Sequence, residues 1–270
     1  MIQCVILFNI LCEYLIRGKF MDAKQIIEDL KKLGIQDNDT ILVHSSYNAL
    51  KGNEEIEDGP QAVIDALMQT VSEGTLMLPT LSYIDVTVDH RYFDVNETPS
   101  CVGILPEIMR HNPSVYRSIH PTHSVAIWGK DAQMIAEQHL LDFSPVGVMS
   151  PFHELKRRHG KIVMLGCGLR CITAMHGVEE MIVPDYLYRG SFDYEIVLAN
   201  GDCIKKDILR HDFKGYEQRY DRILDVLDES DYRVGHVLNA TCYVLDADAV
   251  FEKALMKYRE DPHYFVDEID

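Results

Sequence analysis

The chain has 270 residues, 47% of them hydrophobic and 26% charged, a globular composition that excludes a disordered or fibrous protein. Its net charge of −17 repels phosphate backbones and argues against a nucleic-acid partner. Seven cysteines, at 4, 12, 101, 167, 171, 203 and 242, form no C-x-x-C pair, so they read as reduced thiols of a cytoplasmic protein rather than a disulfide frame or zinc site.

Met1–Phe20 contains an apolar run, Val5–Cys12, broken only by Asn9. It has no basic leader or small-residue cleavage site and is too short to span a bilayer. It reads as a packed helix or an extension upstream of a second start at Met21, and no membrane association is expected. From Asp22 the signals are orderly: Asp22 as N-cap with Gln25 three residues on, Ile26, Ile27, Leu30 and Leu33 on one face, Gly34 as the stop. Thr40–His44 reads as a buried strand, a helix carries Val63, Leu67 and Val71, and Thr75–Leu78 is the next strand. Helices follow over Gly103–Arg110, Asp131–Leu140 and Pro151–Arg158, the last capped by Ser150, with strands at Ser124–Trp128 and Lys161–Leu165.

This alternation predicts an α/β fold with layers of helices covering a mainly parallel central sheet. The last third changes character. Tyr194–Leu198 and Ile204–Ile208 flank Asn200-Gly201, a type I′ hairpin signal. A helix near Tyr216–Leu227, a strand near Thr241–Leu245 and a helix near Ala247–Tyr258 complete the chain. No repeat or linker divides it, so residues 21–270 read as a single domain, with residues 1–20 outside it.

Open α/β sheets build their sites at the carboxyl ends of strands. Four segments there carry chemistry: His44-Ser45-Ser46, Pro79-Thr80, Arg117 to His123, and Gly166-Cys167-Gly168 running into His176 and Glu179. His176 and Glu179 share a helix face, so the carboxylate can orient the imidazole as a general base; a solvated surface pair is the plainer reading. His120 and His123, braced by Pro121, suit hydrogen bonding or, with His176, a metal. His44 reads as structural. Cys167 and Cys171 read as buried, inert thiols. Gly166 and Gly168 lack the third glycine of a dinucleotide fingerprint, and neither a Walker pattern nor a G-x-S-x-G elbow is present.

In their order and spacing these pieces resemble the aminoglycoside 3-N-acetyltransferase family: Val43-His44-Ser45-Ser46, Gly74-Thr75-Leu76 with Pro79-Thr80, Arg117-Ser118-Ile119-His120-Pro121, Ser150-Pro151, Leu165-Gly166-Cys167-Gly168 and His176-x-x-Glu179. The resemblance runs from about Met21 to the end. It implies a three-layer α/β/α fold distinct from the common N-acetyltransferase fold, acetyl-CoA as cosubstrate, a cationic amino sugar as acceptor, with the 3-amino group of an aminoglycoside antibiotic as the expected site of direct transfer, and no metal. His176 and Glu179 would be the catalytic pair. Ser45, Ser46, Thr80, Ser118, His120, Pro121, Gly166 and Gly168 would lie along the cofactor, and Glu180 and Asp185 would meet the acceptor. The stretch Gly52–Gly59 and the Glu180-Met181 that follows Glu179 depart from the family pattern. Other readings stand beside it: a metal-dependent hydrolase using His120, His123 and His176, an acetyltransferase for an endogenous amino sugar in glycan biosynthesis, and a non-catalytic CoA- or sugar-binding protein. The oligomeric state is not legible.

Overall fold

The computed structural model describes residues 20–269, so the readings made for the preceding stretch fall outside the described residues. The elements are β1 (Phe20–Met21), α1 (Lys24–Lys32), β2 (Thr40–Ser45), α2 (Tyr47–Lys51), β3 (Glu55–Ile56), α3 (Gly59–Thr70), β4 (Thr75–Pro79), β5 (Tyr92–Asp94), α4 (Ile104–Arg110), β6 (Tyr116–Arg117), β7 (Val125–Gly129), α5 (Ala132–Gln138), α6 (Pro151–Arg157), β8 (Lys161–Leu165), α7 (Ala174–Ile182), β9 (Tyr188–Val197), β10 (Cys203–His211), β11 (Tyr216–Gln218), β12 (Tyr232–Val237), β13 (Ala240–Asp246), α8 (Ala247–Glu260) and β14 (Val266–Glu268). Short 3-10 turns occupy His139–Leu141 and Tyr220–Asp225.

The central sheet has seven strands in the order β12-β13-β8-β2-β4-β7-β6. Its middle three, β8, β2 and β4, pair in parallel, and the four outer pairings are antiparallel. Five of the seven strands therefore point one way, but the ladders are mixed. β2 is buried along Thr40–His44 because both of its faces are covered. Ile41 and Val43 join Leu76, Leu78, Val163 and Leu165 under Ile26 and Leu30 of α1, Val63 and Leu67 of α3, and Leu105 and Met109 of α4. Leu42, Met77, Ile127, Ile162 and Met164 face Ile135 of α5, Phe152 and Leu155 of α6, Met175 and Val178 of α7, and Phe251 and Tyr258 of α8. The period-2 alternation of each strand thus feeds two cores, one per face.

A second sheet, β10-β9-β5, packs Phe93, Val95, Tyr194, Ile196 and Ile208 into a core of its own. Its β9–β10 hairpin forms around Asn200-Gly201, but the turn differs from the type I′ expectation. Only Gly201 has positive φ (86°). Its N–H bonds the Leu198 carbonyl at 2.9 Å, and Leu198 N–H bonds the Asp202 carbonyl at 2.8 Å. The Asn200 side chain accepts from Asp202 N–H at 3.0 Å, which suits a three-residue loop closed by a glycine bulge.

The helix expected over Tyr216–Leu227 is also corrected. Tyr216–Gln218 pairs with Val266–Glu268, so the strand partner lies at the far end of the chain, and only the following turn is helical. At α1 the Asp22 carboxylate accepts from Lys24 N–H at 2.8 Å. Gln25, however, bonds Asp29 at 2.9 Å instead of closing a capping box. Ser150 caps α6 as expected, accepting from His153 N–H. Among the described residues no helix is long and apolar enough to cross a membrane.

At the end of β8 the chain turns at Gly166, φ +79°, where an added Cβ would stand 2.8 Å from Ala49 Cβ and 3.0 Å from Ala240 Cβ. Left-handed strain and overpacking then act together, at about 1–2 and 1–3 kcal/mol respectively. Gly166→Ala should lower unfolding free energy by about 2–5 kcal/mol in urea denaturation; a change below about 0.5 kcal/mol would contradict this packing.

Candidate functional site

α7 starts just beyond the turn that follows β8, and its inward face carries Glu179, which has no exposed surface. A carboxylate buried this deeply needs partners. Glu179 Oε1 accepts hydrogen bonds from Tyr258 Oη at 2.9 Å and Tyr186 Oη at 3.2 Å. Its Oε2 accepts from Tyr220 Oη at 2.6 Å and lies 3.1 Å from His176 Nδ1. Burial pushes the carboxyl upward, but the hydrogen bond and charge of His176 and the Tyr220 hydroxyl outweigh it, and the group sits below its ordinary value. Burial beside that charge raises Tyr220 and Tyr258 well above the usual phenol range. The three phenols therefore stay protonated as donors.

Tyr220 Oη is also 2.7 Å from His176 Nδ1. Its single proton goes to the carboxylate, the stronger acceptor, so Nδ1 of His176 carries the ring's hydrogen. Nε2 is left with its lone pair, and His176 lines a cavity of about 570 Å³. The cavity opens at the carboxyl ends of the parallel strands: His44 and Ser45 end β2, Pro79 ends β4, and Cys167 to Thr173 follow β8. Thr122 and His123 precede the antiparallel β7, which brings them to the same edge, and Arg210, His211 and Phe213 come from the end of β10.

Four buried side-chain atoms lack a hydrogen-bond partner among the described residues: His44 Nδ1, Ser45 Oγ, His120 Nε2 and His211 Nδ1. All belong to the segments around this cavity. Orphaned buried polar atoms are rare in folded proteins, and their concentration here marks a place built for a polar ligand.

The expected residues divide by what they touch. His176 and Ser45 line the cavity. Ser46 caps α2 through Ala49 N–H at 3.3 Å, and its own N–H bonds the Leu165 carbonyl. The N–H of Gly166 is committed to Thr241 and Met164 carbonyls, so these two amides are not available to an oxyanion; Gly168, φ +69°, has open space beside it. Thr80 is buried, 3.0 Å from Ser124 Oγ. The buried Arg117 guanidinium ties this pair to the β5 region by donating to Ser124 Oγ, the Thr80 carbonyl and the Val95 carbonyl. Ser118 Oγ bonds His139 Nδ1 at 2.9 Å.

His120 accepts from the N–H groups of Thr122 and His123 at 3.2 and 3.0 Å, and Ser82 Oγ donates to the Pro121 carbonyl at 2.6 Å. These residues shape the loop that presents His123. Glu180 is buried and bonds His211 Nε2 at 2.8 Å, Ser144 Oγ at 2.5 Å and Val146 N–H at 2.8 Å. Asp185 is 80% exposed and pairs with His263 at 3.1 Å.

Two readings need correction. Cys167 and Cys171 are not sealed in the core: both line the cavity, and Cys171 is exposed, because the turn after β8 carries them outward to the sheet edge. A hydrogen bond from Cys167 draws the Cys171 thiol down to about 6. His120 does not join His123 and His176; it stacks on His139 at 5.0 Å. The ring that closes with them is His211, 5.0 Å from each. Sequence reasoning missed His211, Tyr186, Tyr220 and Tyr258, none of which has a local motif.

The loop that holds Glu180 is anchored by Asp142, whose carboxylate accepts from Met149 N–H at 3.0 Å. Burial pushes Asp142 up to about 6. The native state therefore binds a proton that the unfolded chain releases near pH 4, and this group's contribution to stability declines as pH rises from about 4 through 6. The stability of Asp142→Asn relative to the parent should rise across that interval and level off above it, in denaturation measured from about pH 4 to about pH 8; a pH-independent difference would contradict the assignment.

The model of the aminoglycoside 3-N-acetyltransferase family, Antibiotic_NAT, matches residues 42–258. The chain is 30% identical over 247 residues to an SPbeta prophage-derived aminoglycoside N(3')-acetyltransferase-like protein, YokD, of Bacillus subtilis, covering 83% of this chain and 87% of that one. It is 29% identical over 216 residues to aminoglycoside N(3)-acetyltransferase VII of Streptomyces paromomycinus, covering 73% and 72%. Among solved structures, a histidine-to-alanine variant of aminoglycoside acetyltransferase AAC(3)-IVa in complex with a gentamicin superposes with a TM-score of 0.77 at 26% identity, covering 93% of each chain.

Proposed function

The chain belongs to the aminoglycoside 3-N-acetyltransferase family, and from that premise we propose that it transfers the acetyl group of acetyl-CoA to the 3-amino group of an aminoglycoside, with His176 as general base. The observation that carries this reading is a cavity-lining imidazole whose Nδ1 is held by a buried carboxylate, which leaves Nε2 for the amine. Such modification removes a cation from the antibiotic and so confers resistance. Residues 21–270 act as one domain, of a fold apart from the common N-acetyltransferase fold. Free thiols at the cavity and a substrate made inside cells support a cytoplasmic setting.

The cavity has room for a thioester and an amine, and the unpartnered Ser45 hydroxyl and His44 nitrogen beside it suit an amide-bearing arm. The thioester supplies an activated acetyl carbon. His176 accepts a proton from the attacking amine as the N–C bond forms and the C–S bond breaks, then passes it to the departing thiolate, so the products are amide and free thiol. Glu179 stabilises the transient imidazolium without taking its proton. Thr80, Ser118, His120 and Pro121 act from behind the cavity wall, holding the loop before β7. The acidic surface draws in a polycation, while Glu180 fixes the loop at Ser144–Val146 and Asp185 stands exposed after α7, paired with His263.

A positioned general base contributes about 10²–10⁴ in rate. His176→Ala should lower kcat by that factor in a thiol-release assay with acetyl-CoA and an aminoglycoside, while acetyl-CoA affinity by calorimetry changes less than about threefold. Turnover retained in this variant would remove His176 from the mechanism.

A further inference from the structure

Three imidazoles meet at the cavity wall: His123 from the loop before β7, His176 from α7 and His211 from the end of β10. Each offers a ring nitrogen within 4.8 Å of the other two. In each ring one nitrogen is engaged by an oxygen. His176 Nδ1 faces Glu179 Oε2 at 3.1 Å, His211 Nε2 faces Glu180 Oε1 at 2.8 Å, and His123 Nδ1 faces Thr122 Oγ1 at 2.9 Å. When those oxygens accept, the remaining nitrogens carry lone pairs. His211 Nδ1 is buried and has no partner. Three converging lone pairs, one of them orphaned, leave a site without a donor.

We propose that His123, His176 and His211 form a site for a divalent transition ion of the zinc type, and that the bound ion switches transfer off by occupying His176 Nε2. The site is distinct from the catalytic need, since the reaction itself uses that nitrogen bare; the inhibitory half rests on His176 being the base. The donor set is the one such ions favour: three neutral imidazoles, two of them backed by carboxylates that fix tautomer and raise basicity. A tetrahedral ion with bonds of about 2.0–2.1 Å needs its nitrogens about 3.4 Å apart, so the rings close in by about 1.4 Å at most. The fourth position opens to the cavity, where water can sit in the place of the amine. Arg210, the cation nearest in sequence to His211, turns its guanidinium to the Val86 and Tyr83 carbonyls at 2.8 and 3.3 Å. Glu179 behind the His176 ring supplies negative charge to match the ion.

The test uses chelator-treated full-length protein titrated with zinc chloride by calorimetry and with cobalt chloride by visible absorption, and transfer assayed at each metal level. The expected result is one equivalent bound, a tetrahedral cobalt spectrum, inhibition competitive with the amine acceptor and reversed by chelator. In His211→Asn the metal affinity and the inhibition should both weaken by at least about tenfold, with His123→Gln as the second variant should the first fold poorly. Absence of one-equivalent binding would overturn the site and leave the base assignment standing. Binding in which the loaded enzyme keeps full activity would overturn the inhibitory role and, with it, the claim that His176 is the base.

Discussion

Glu179 keeps a negative charge at a point with no exposed surface, and that requirement organises the functional half of the molecule. Three phenols and one imidazole satisfy its two oxygens, and they arrive from four places in the chain: Tyr258 from α8, Tyr220 from the 3-10 turn, Tyr186 from the loop after α7, and His176 from a turn earlier on α7 itself. Hydrogen bonds to a buried charge are each worth about 1.5–3 kcal/mol net, and removing one leaves the charge partly unsatisfied. The network thus fastens α7, α8 and the C-terminal segment together, and the same bonds fix the imidazole's orientation. Stability and function here share one set of contacts.

The central sheet does the coarse positioning. Parallel pairing of β8, β2 and β4 brings their carboxyl ends to one edge, and antiparallel β7 delivers the loop before it to that same edge. Hydroxyls and carbonyls behind the wall (Thr80, Ser124, Ser118, Ser82) are consumed in holding this loop, and Arg117 binds it to the second sheet. That second sheet contributes His211 from the end of β10, so the cavity forms where the two sheets meet. Burial and the like charge of their neighbours hold His123 and His211 well below the usual histidine range.

What was legible in the sequence follows from range. The strands Thr40–His44, Thr75–Leu78 and Lys161–Leu165, the Ser150 cap and the Gly34 stop are encoded by neighbours within a few residues, and they stand where expected. His176 and Glu179 were visible because their spacing is itself a helix property. The three tyrosines were not: Tyr258 lies 79 residues from Glu179 on a helix whose pattern reads as ordinary core, and a phenol on an apolar face gives no sign of what its hydroxyl meets. Tyr220 was assigned to a helix that the β11–β14 ladder pre-empts, since that ladder satisfies the backbone of Tyr216–Gln218 from the far end of the chain. His211 ends a half-exposed strand with no local cue. Glu180 and Asp185 illustrate the converse: two acids five residues apart, on and after α7, look alike in sequence, yet one side chain is buried under a loop and the other faces solvent.

The central claim is that the carboxylate dictates which nitrogen of His176 is bare. Nitrogen-15 NMR of histidine-labelled protein, with the His176 signals identified by comparison with His176→Ala, reads this directly at neutral pH. The account predicts a hydrogen on Nδ1, shifted downfield by its bond to Glu179 and Tyr220, and an unprotonated Nε2. A neutral ring with its hydrogen on Nε2, accepting from Tyr220 at Nδ1, would contradict it.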